Sequence, residues 1–175
     1  MNGIKKGIWP TMITPYDREG RVDLNAAKRI VDWYARRNCD GIFAVCQSSE
    51  MAYLTEQEKL DIARATAEAV DGRIQVVASG DKATQFREIE NMMKIPGIGA
   101  YVLVSNRLDQ KNEGEAVFEA NAQEIFDRYP EIDFGIYECP MPWKRLVSTE
   151  FLRKAGQQGR MVFLKDTCCD YELVR

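Results

Sequence analysis

The chain has 175 residues, with 24 Lys and Arg against 27 Asp and Glu, for a formal charge of −3. This near balance excludes a basic nucleic-acid footprint, and no apolar run approaches the roughly 20 residues that a membrane helix needs. At 45% apolar and 29% charged residues the composition is globular, and the absence of histidine removes Ser-His-Asp triads, Cys-His dyads and His-ligated zinc.

In chain order, the first apolar stretch is Ile8 to Ile13, closed by Thr14-Pro15. Asp23 is placed to cap a helix from Leu24 to Arg37, which Asn38 can stop in a left-handed conformation. A second apolar stretch runs from Gly41 to Cys46. Thr55 and Glu58 have the spacing of a capping box, and Leu60, Ile62, Ala63 and Ala67 continue with helical period up to Asp71-Gly72. Further apolar stretches are Ile74 to Ala78, Ala100 to Val104, Phe134 to Tyr137 and Met161 to Leu164. Helical patterns fill the gaps: a weak one from Thr84 to Lys94, Gly114 to Arg128, and one opened by Ser148 or Thr149 that ends near Gly156. All six apolar stretches lack clean alternation, as expected of strands buried on both faces.

Strand starts recur about every 25 to 34 residues, the length of one βα unit. The alternation implies an α/β fold with a parallel sheet, either doubly wound or closed as a (β/α)8 TIM barrel. No GxGxxG or GxxxxGK[ST] follows a strand, which favours the barrel. Eight units require about 250 residues, and this sequence stops just after its sixth strand. The expectation is therefore one domain over residues 1–175, forming the N-terminal three quarters, about six βα units, of a single barrel. On its own such a portion exposes two sheet edges, so either a longer chain or a partner is expected to complete it. The N-terminus lacks the long apolar core of a secretory signal, and five cysteines without CxxC spacing fit reduced thiols. Both point to a cytoplasmic protein.

Chemistry in parallel βα proteins gathers where the strands run out. Lys165 directly follows an apolar strand, and a lysine at the mouth of an apolar barrel is partly desolvated, which disfavours its ammonium form and frees the amine to form a Schiff base. The bland alternative is a solvated lysine at a strand end. Tyr137 ends the fifth strand in the same way and would supply a phenol for proton relay, unless it is only a packed core tyrosine. The Gln47-Ser48-Ser49-Glu50 turn offers hydroxyls and backbone N–H groups to a carboxylate, or else simply caps the next helix. Ser48 joins Lys165 and Tyr137 as a candidate catalytic residue. Ser49, Gln47, Thr14, Asn106 and Arg107 are the candidate substrate-binding residues. A third arrangement, acidic Glu50, Asp81, Glu138 and Asp166 holding a hard cation, is the weakest, and no metal or other cofactor is expected.

These strand ends resemble, in order along the whole chain, those of the dihydrodipicolinate synthase / N-acetylneuraminate lyase family of class I aldolases. The resemblance is carried by Thr14-Pro15, Ser48-Ser49-Glu50, Leu54-Thr55-Glu56-Gln57-Glu58, Val76-Val77-Ala78-Ser79-Gly80, Tyr137-Glu138-Cys139-Pro140 and Phe163-Leu164-Lys165-Asp166. It implies a (β/α)8 barrel, usually tetrameric, that binds pyruvate or another 2-oxo acid as an imine. Lys165 would be the Schiff-base lysine, Tyr137 the relay phenol and Ser48 part of the carboxylate and relay position. The chain departs from the family at Cys46, Gln47 and Ser49 in the loop after the second strand, at Ser105-Asn106-Arg107 after the fourth, and at Pro142, where the synthases carry an arginine for a dicarboxylate. The sequence therefore reads as an aldolase or lyase of unassigned 2-oxo-acid substrate, a tetramer or dimer. The alternative is an inactive barrel portion that binds a ligand or partner without turnover.

Overall fold

A computed structural model describes residues 3–80 and 86–174. Its elements alternate as the periodicity predicts. Helix α1 (Leu24–Ala35) precedes β1 (Gly41–Phe43), α2 (Glu56–Val70), β2 (Gln75–Ser79) and α3 (Phe86–Met93). Then come β3 (Ile98–Val104), α4 (Glu115–Arg128), β4 (Phe134–Tyr137), α5 (Thr149–Gln157), β5 (Met161–Lys165) and the short α6 (Tyr171–Val174). The five strands lie in sequence order β1-β2-β3-β4-β5, and every pairing is parallel.

Local chemistry explains the helix starts. Asp23 accepts the Ala26 N–H at 2.9 Å, and Ser148 accepts that of Phe151 at 3.1 Å. Thr55 and Glu58 form the predicted capping box, with Thr55 N–H on the Glu58 carboxylate at 2.8 Å and Glu58 N–H on the Thr55 hydroxyl at 3.2 Å. Asn38 takes its left-handed conformation (φ 56°), but α1 ends earlier, at Ala35. The start of the helix expected from Thr84 lies outside the described residues.

Two expectations need correction. Ile8 to Ile13 is not a regular strand: a parallel bridge pairs Thr11 with Phe43, while Pro10 and Met12 exchange backbone hydrogen bonds with Phe43 at 3.0 Å. Pro10 has no N–H to extend the ladder. Nor is the last strand buried on both faces. The side chains of β5 are largely half-buried and Leu164 is 42% exposed, because β5 stands at the end of the strand order and lacks a second neighbour in the sheet.

The sheet curls strongly. In a flat sheet β1 and β5, four places apart, would be separated by roughly 19 Å. Instead the Phe43 ring of β1 meets the Phe163 ring of β5 with centroids 5.7 Å apart and Tyr137 of β4 at 5.8 Å. Trp9, from the segment beside β1, also reaches Phe163 at 5.4 Å. These edge-on rings fill the concave side and hold the ends of the sheet together. Such a curled parallel sheet with helices in the connections is an α/β half-barrel, and it brings the C-terminal ends of β1, β4 and β5 to one mouth.

Candidate functional site

Tyr137 and Lys165 close their strands as direct partners in the β4–β5 register. Lys165, half-buried, places its Nζ 4.3 Å from the centroid of the Tyr137 ring and 5.8 Å from that of Phe43, so the amine stands over an aromatic floor. The Tyr137 hydroxyl donates to Gln47 Oε1 at 3.2 Å, and the Cys139 thiol approaches the same oxygen at 3.8 Å. Burial pushes the Tyr137 phenol well above its ordinary value, and the neighbouring Cys139 and Cys46 thiols add to the effect. The phenol therefore stays protonated at neutral pH.

The turn after β1 divides its two serines. Gln47, Ser48 and Ser49 form one 3-10 turn, with Ser49 N–H on the Cys46 carbonyl at 3.0 Å and Glu50 N–H on the Gln47 carbonyl at 2.9 Å. Ser49 is fully buried: its hydroxyl lies 2.8 Å from the Met12 carbonyl and 2.9 Å from that of Ala44, and it accepts the Cys46 N–H at 3.3 Å. Thr14 donates to the Ser49 carbonyl at 2.7 Å. Ser49 and Thr14 thus bind the turn to the segment beside β1. Ser48 is exposed, with its hydroxyl 3.0 Å from Cys46 Sγ, and Gln47 is exposed beside it.

After β3, the buried Asn106 spends its amide nitrogen on the carbonyls of Cys139, Met141 and Trp143, at 2.9, 2.9 and 2.7 Å. It staples the loop that follows Tyr137. Arg107 lines a cleft of about 340 Å³ with Gln47, Met51, Tyr53, Cys139 and Met141. Through Gln47 and Cys139 the inner end of this cleft meets the Tyr137 phenol.

The structure therefore gathers Lys165, Tyr137, Gln47 and Ser48 around one mouth, while Ser49, Thr14 and Asn106 are engaged in building it. Sequence reasoning did not single out Cys46 and Cys139 as neighbours of the phenol, nor Met51, Tyr53 and Met141 as a cleft wall. The only signal was their adjacency to the strand ends. Of the acidic residues, Glu50 is exposed within reach of the Tyr16 hydroxyl (3.4 Å), and the buried Glu138 carboxyl accepts the Val147 and Thr167 amides at 2.8 and 2.9 Å. Asp81 lies outside the described residues. Among the described residues no group of three or more Cys, Asp or Glu is spaced to hold a metal ion, and no helix is long and apolar enough to cross a membrane.

The chain is similar to known proteins in sequence and in fold. The model of the Dihydrodipicolinate synthetase family matches residues 5–100. The 4-hydroxy-tetrahydrodipicolinate synthase of Saccharophagus degradans is 29% identical over 102 residues, 57% of this chain and 35% of the relative. Synthase 1 of the same name from Streptomyces coelicolor is 26% identical over 163 residues, 93% of this chain and 52% of the relative. The chain thus spans about a third to a half of the length of these relatives. Among solved structures, dihydrodipicolinate synthase of Bacillus anthracis superposes with a TM-score of 0.83 at 21% identity, over 98% of this chain and 59% of that one. A Clostridium difficile protein solved in complex with mannosamine gives 0.78 at 17% identity, over 97% and 58%. At these identities the structural likeness speaks for the fold alone. With the family model covering more than half of its residues, the chain belongs to the dihydrodipicolinate synthetase family.

Proposed function

We propose that this half-barrel carries the imine-forming centre of a class I aldolase or lyase acting on a 2-oxo acid of the pyruvate type. The observation that carries the reading is the pairing of Tyr137 with Lys165, an amine 4.3 Å from the ring of a protonated phenol at the mouth of a curled parallel sheet. The Lys165 amine adds to the keto carbon, and loss of water from the carbinolamine leaves the imine. The buried Tyr137 phenol relays the protons that these steps move, with Gln47 orienting its hydroxyl. The exposed Ser48 hydroxyl faces the substrate carboxylate, Ser49 and Thr14 hold the turn behind it, and Arg107 supplies positive charge at the cleft. Further support comes from the relatives that bear a synthase name and from a similar Acinetobacter baumannii structure described as complexed with pyruvate.

In this reading the five strands and the segment beside β1 are the N-terminal part of a (β/α)8 barrel, and the assembly is a homo-oligomer. The test is incubation with pyruvate and borohydride, followed by intact mass and peptide mapping. A reduced pyruvyl adduct on Lys165, absent from Lys165→Ala, is the expected result. A ligand-dependent thermal shift with no adduct would instead identify a binding module without turnover, and the enzymatic reading would fall.

A further inference from the structure

The cleft of about 340 Å³ runs from the mouth toward the surface, between the turn after β1 and the loop after β4. Clefts of this size hold ligands well beyond a three-carbon acid. Its walls are apolar: Met51 and Ala52 come from the turn, Met141 and Pro142 from the loop. Met51 is buried, while Tyr53 at 86% and Met141 at 58% exposure stand open at the rim. Two large side chains left open on one cleft form a patch, not a pair of isolated exposures.

The inner end differs. Gln47 spends its amide oxygen on the Tyr137 hydroxyl and the Cys139 thiol, and its amide nitrogen has no hydrogen-bond partner among the described residues. Two N–H donors therefore stand beside the phenol where they can hold an oxygen. The two charged residues of the lining, Glu50 and Arg107, are of opposite sign.

We propose that this cleft takes a second reactant, an aldehyde with an apolar chain or ring, its carbonyl at Gln47 and Tyr137 and its apolar part along Met51, Tyr53 and Met141. The proposal rests on the Schiff-base reading of Lys165 and specifies what the imine reacts with. The imine of pyruvate loses a proton from its methyl carbon and becomes an enamine. The electron pair of that carbon forms the new bond to the aldehyde carbon, and the π pair of the aldehyde carbonyl moves onto its oxygen. The proton that left the methyl carbon ends on this oxygen, passing through the Tyr137 phenol. Water then hydrolyses the imine, releasing a 4-hydroxy-2-oxo acid and the free amine. A sugar aldehyde in the same place would lose water from several hydroxyls and find few partners for them, which weakens its binding. Because Glu50 matches Arg107, no surplus charge remains for a phosphate or carboxylate tail.

The test pairs pyruvate with hydrocinnamaldehyde, glyceraldehyde or succinic semialdehyde, and follows the 4-hydroxy-2-oxo acid by mass spectrometry in wild type and Tyr53→Ser. Hydrocinnamaldehyde should give a kcat/KM at least about tenfold above the other two. Tyr53→Ser, at an exposed position, should raise the KM for hydrocinnamaldehyde about fivefold, with a smaller rise for pyruvate. Preference for either of the other aldehydes would overturn the proposal, as would an equal rise in both KM values or a Lys165 adduct that reacts with none of the three. A second measurement needs no turnover. With isotope labels on the methionine methyls, benzyl alcohol should shift the Met51 and Met141 resonances and glycerol should not. Unmoved methyls overturn the proposal. So do the same shifts on concentrating the protein alone, which assign the patch to contact between copies of the chain. If no pyruvate adduct forms on Lys165, the Schiff-base reading falls and takes the aldol step with it, whereas the methyl shifts still decide whether the cleft accepts an apolar ligand.

Discussion

Lys165 Nζ rests 4.3 Å from the centroid of the Tyr137 ring, and the two residues are partners in the β4–β5 ladder. The ring face therefore holds the amine, while the hydroxyl points to Gln47. These two roles of one side chain can be separated. Tyr137→Phe keeps the ring contact and removes only the transferable proton. Pyruvate trapping on Lys165 should slow by about a hundredfold, within the range for a lost general acid, with little change in the urea midpoint. Trapping at the wild-type rate would remove the phenol from the mechanism.

The same phenol makes a prediction about pH. Its folded-state value is raised by burial first and by the nearby thiols second. The native state therefore keeps a proton that the unfolded chain gives up near pH 10. The stabilisation this brings is fully present below the unfolded value and is lost as pH rises toward the folded one. In a difference absorbance titration of wild type against Tyr137→Phe, no phenolate should appear from Tyr137 near pH 10. A normal phenolate signal there would mean that the hydroxyl is open to water.

Ser48 and Ser49 should respond in opposite ways. Ser49→Ala leaves the Met12 and Ala44 carbonyls and the Cys46 amide without their shared partner, a loss of about 1–3 kcal/mol in stability. Ser48→Ala removes an exposed hydroxyl, so stability should hold within about 0.5 kcal/mol while the pyruvate concentration for half-maximal trapping rises. Denaturation and trapping on the two variants check both. The reverse pattern would show that the turn is oriented differently.

Gly41 opens β1 against the Trp9 ring, which a side-chain carbon there would strike. Because Trp9 also packs on Phe163 of β5, the clash would press on the contact that draws the sheet ends together. Gly41→Ala should cost about 1–3 kcal/mol, read by chemical denaturation. An unchanged midpoint would show that Trp9 is free to move aside.

At the α2 N-terminus, Thr55→Ala removes the side-chain half of the capping box, the hydroxyl that accepts the Glu58 N–H. The expected loss is about 1 kcal/mol, measured in the same way. No change in imine trapping should accompany it, because α2 begins several residues beyond the Gln47–Ser49 turn.

Much of this architecture is local information. Hydrophobic period, the caps at Asp23, Thr55 and Ser148, and the left-handed Asn38 all depend on neighbours a few residues away, so the order of strands and helices could be read along the chain. The placing of Lys165 and Tyr137 at adjacent strand ends follows from that order once the sheet is parallel. What the sequence could not decide rests on contacts between distant segments. Gln47 meets the Tyr137 phenol across 90 positions, and Thr14 reaches the Ser49 carbonyl across 35. Ser48 and Ser49 are chemically identical neighbours, and the approach of Met12 and Thr14, distant along the chain, helps to engage the buried Ser49 while Ser48 stays exposed. Glu138 likewise reads along the chain as one more acidic strand end. Its bonding emerges only when Lys165, Thr167 and Val147 converge on it, because hydrogen-bond partners are set by where the backbone of other segments comes to rest.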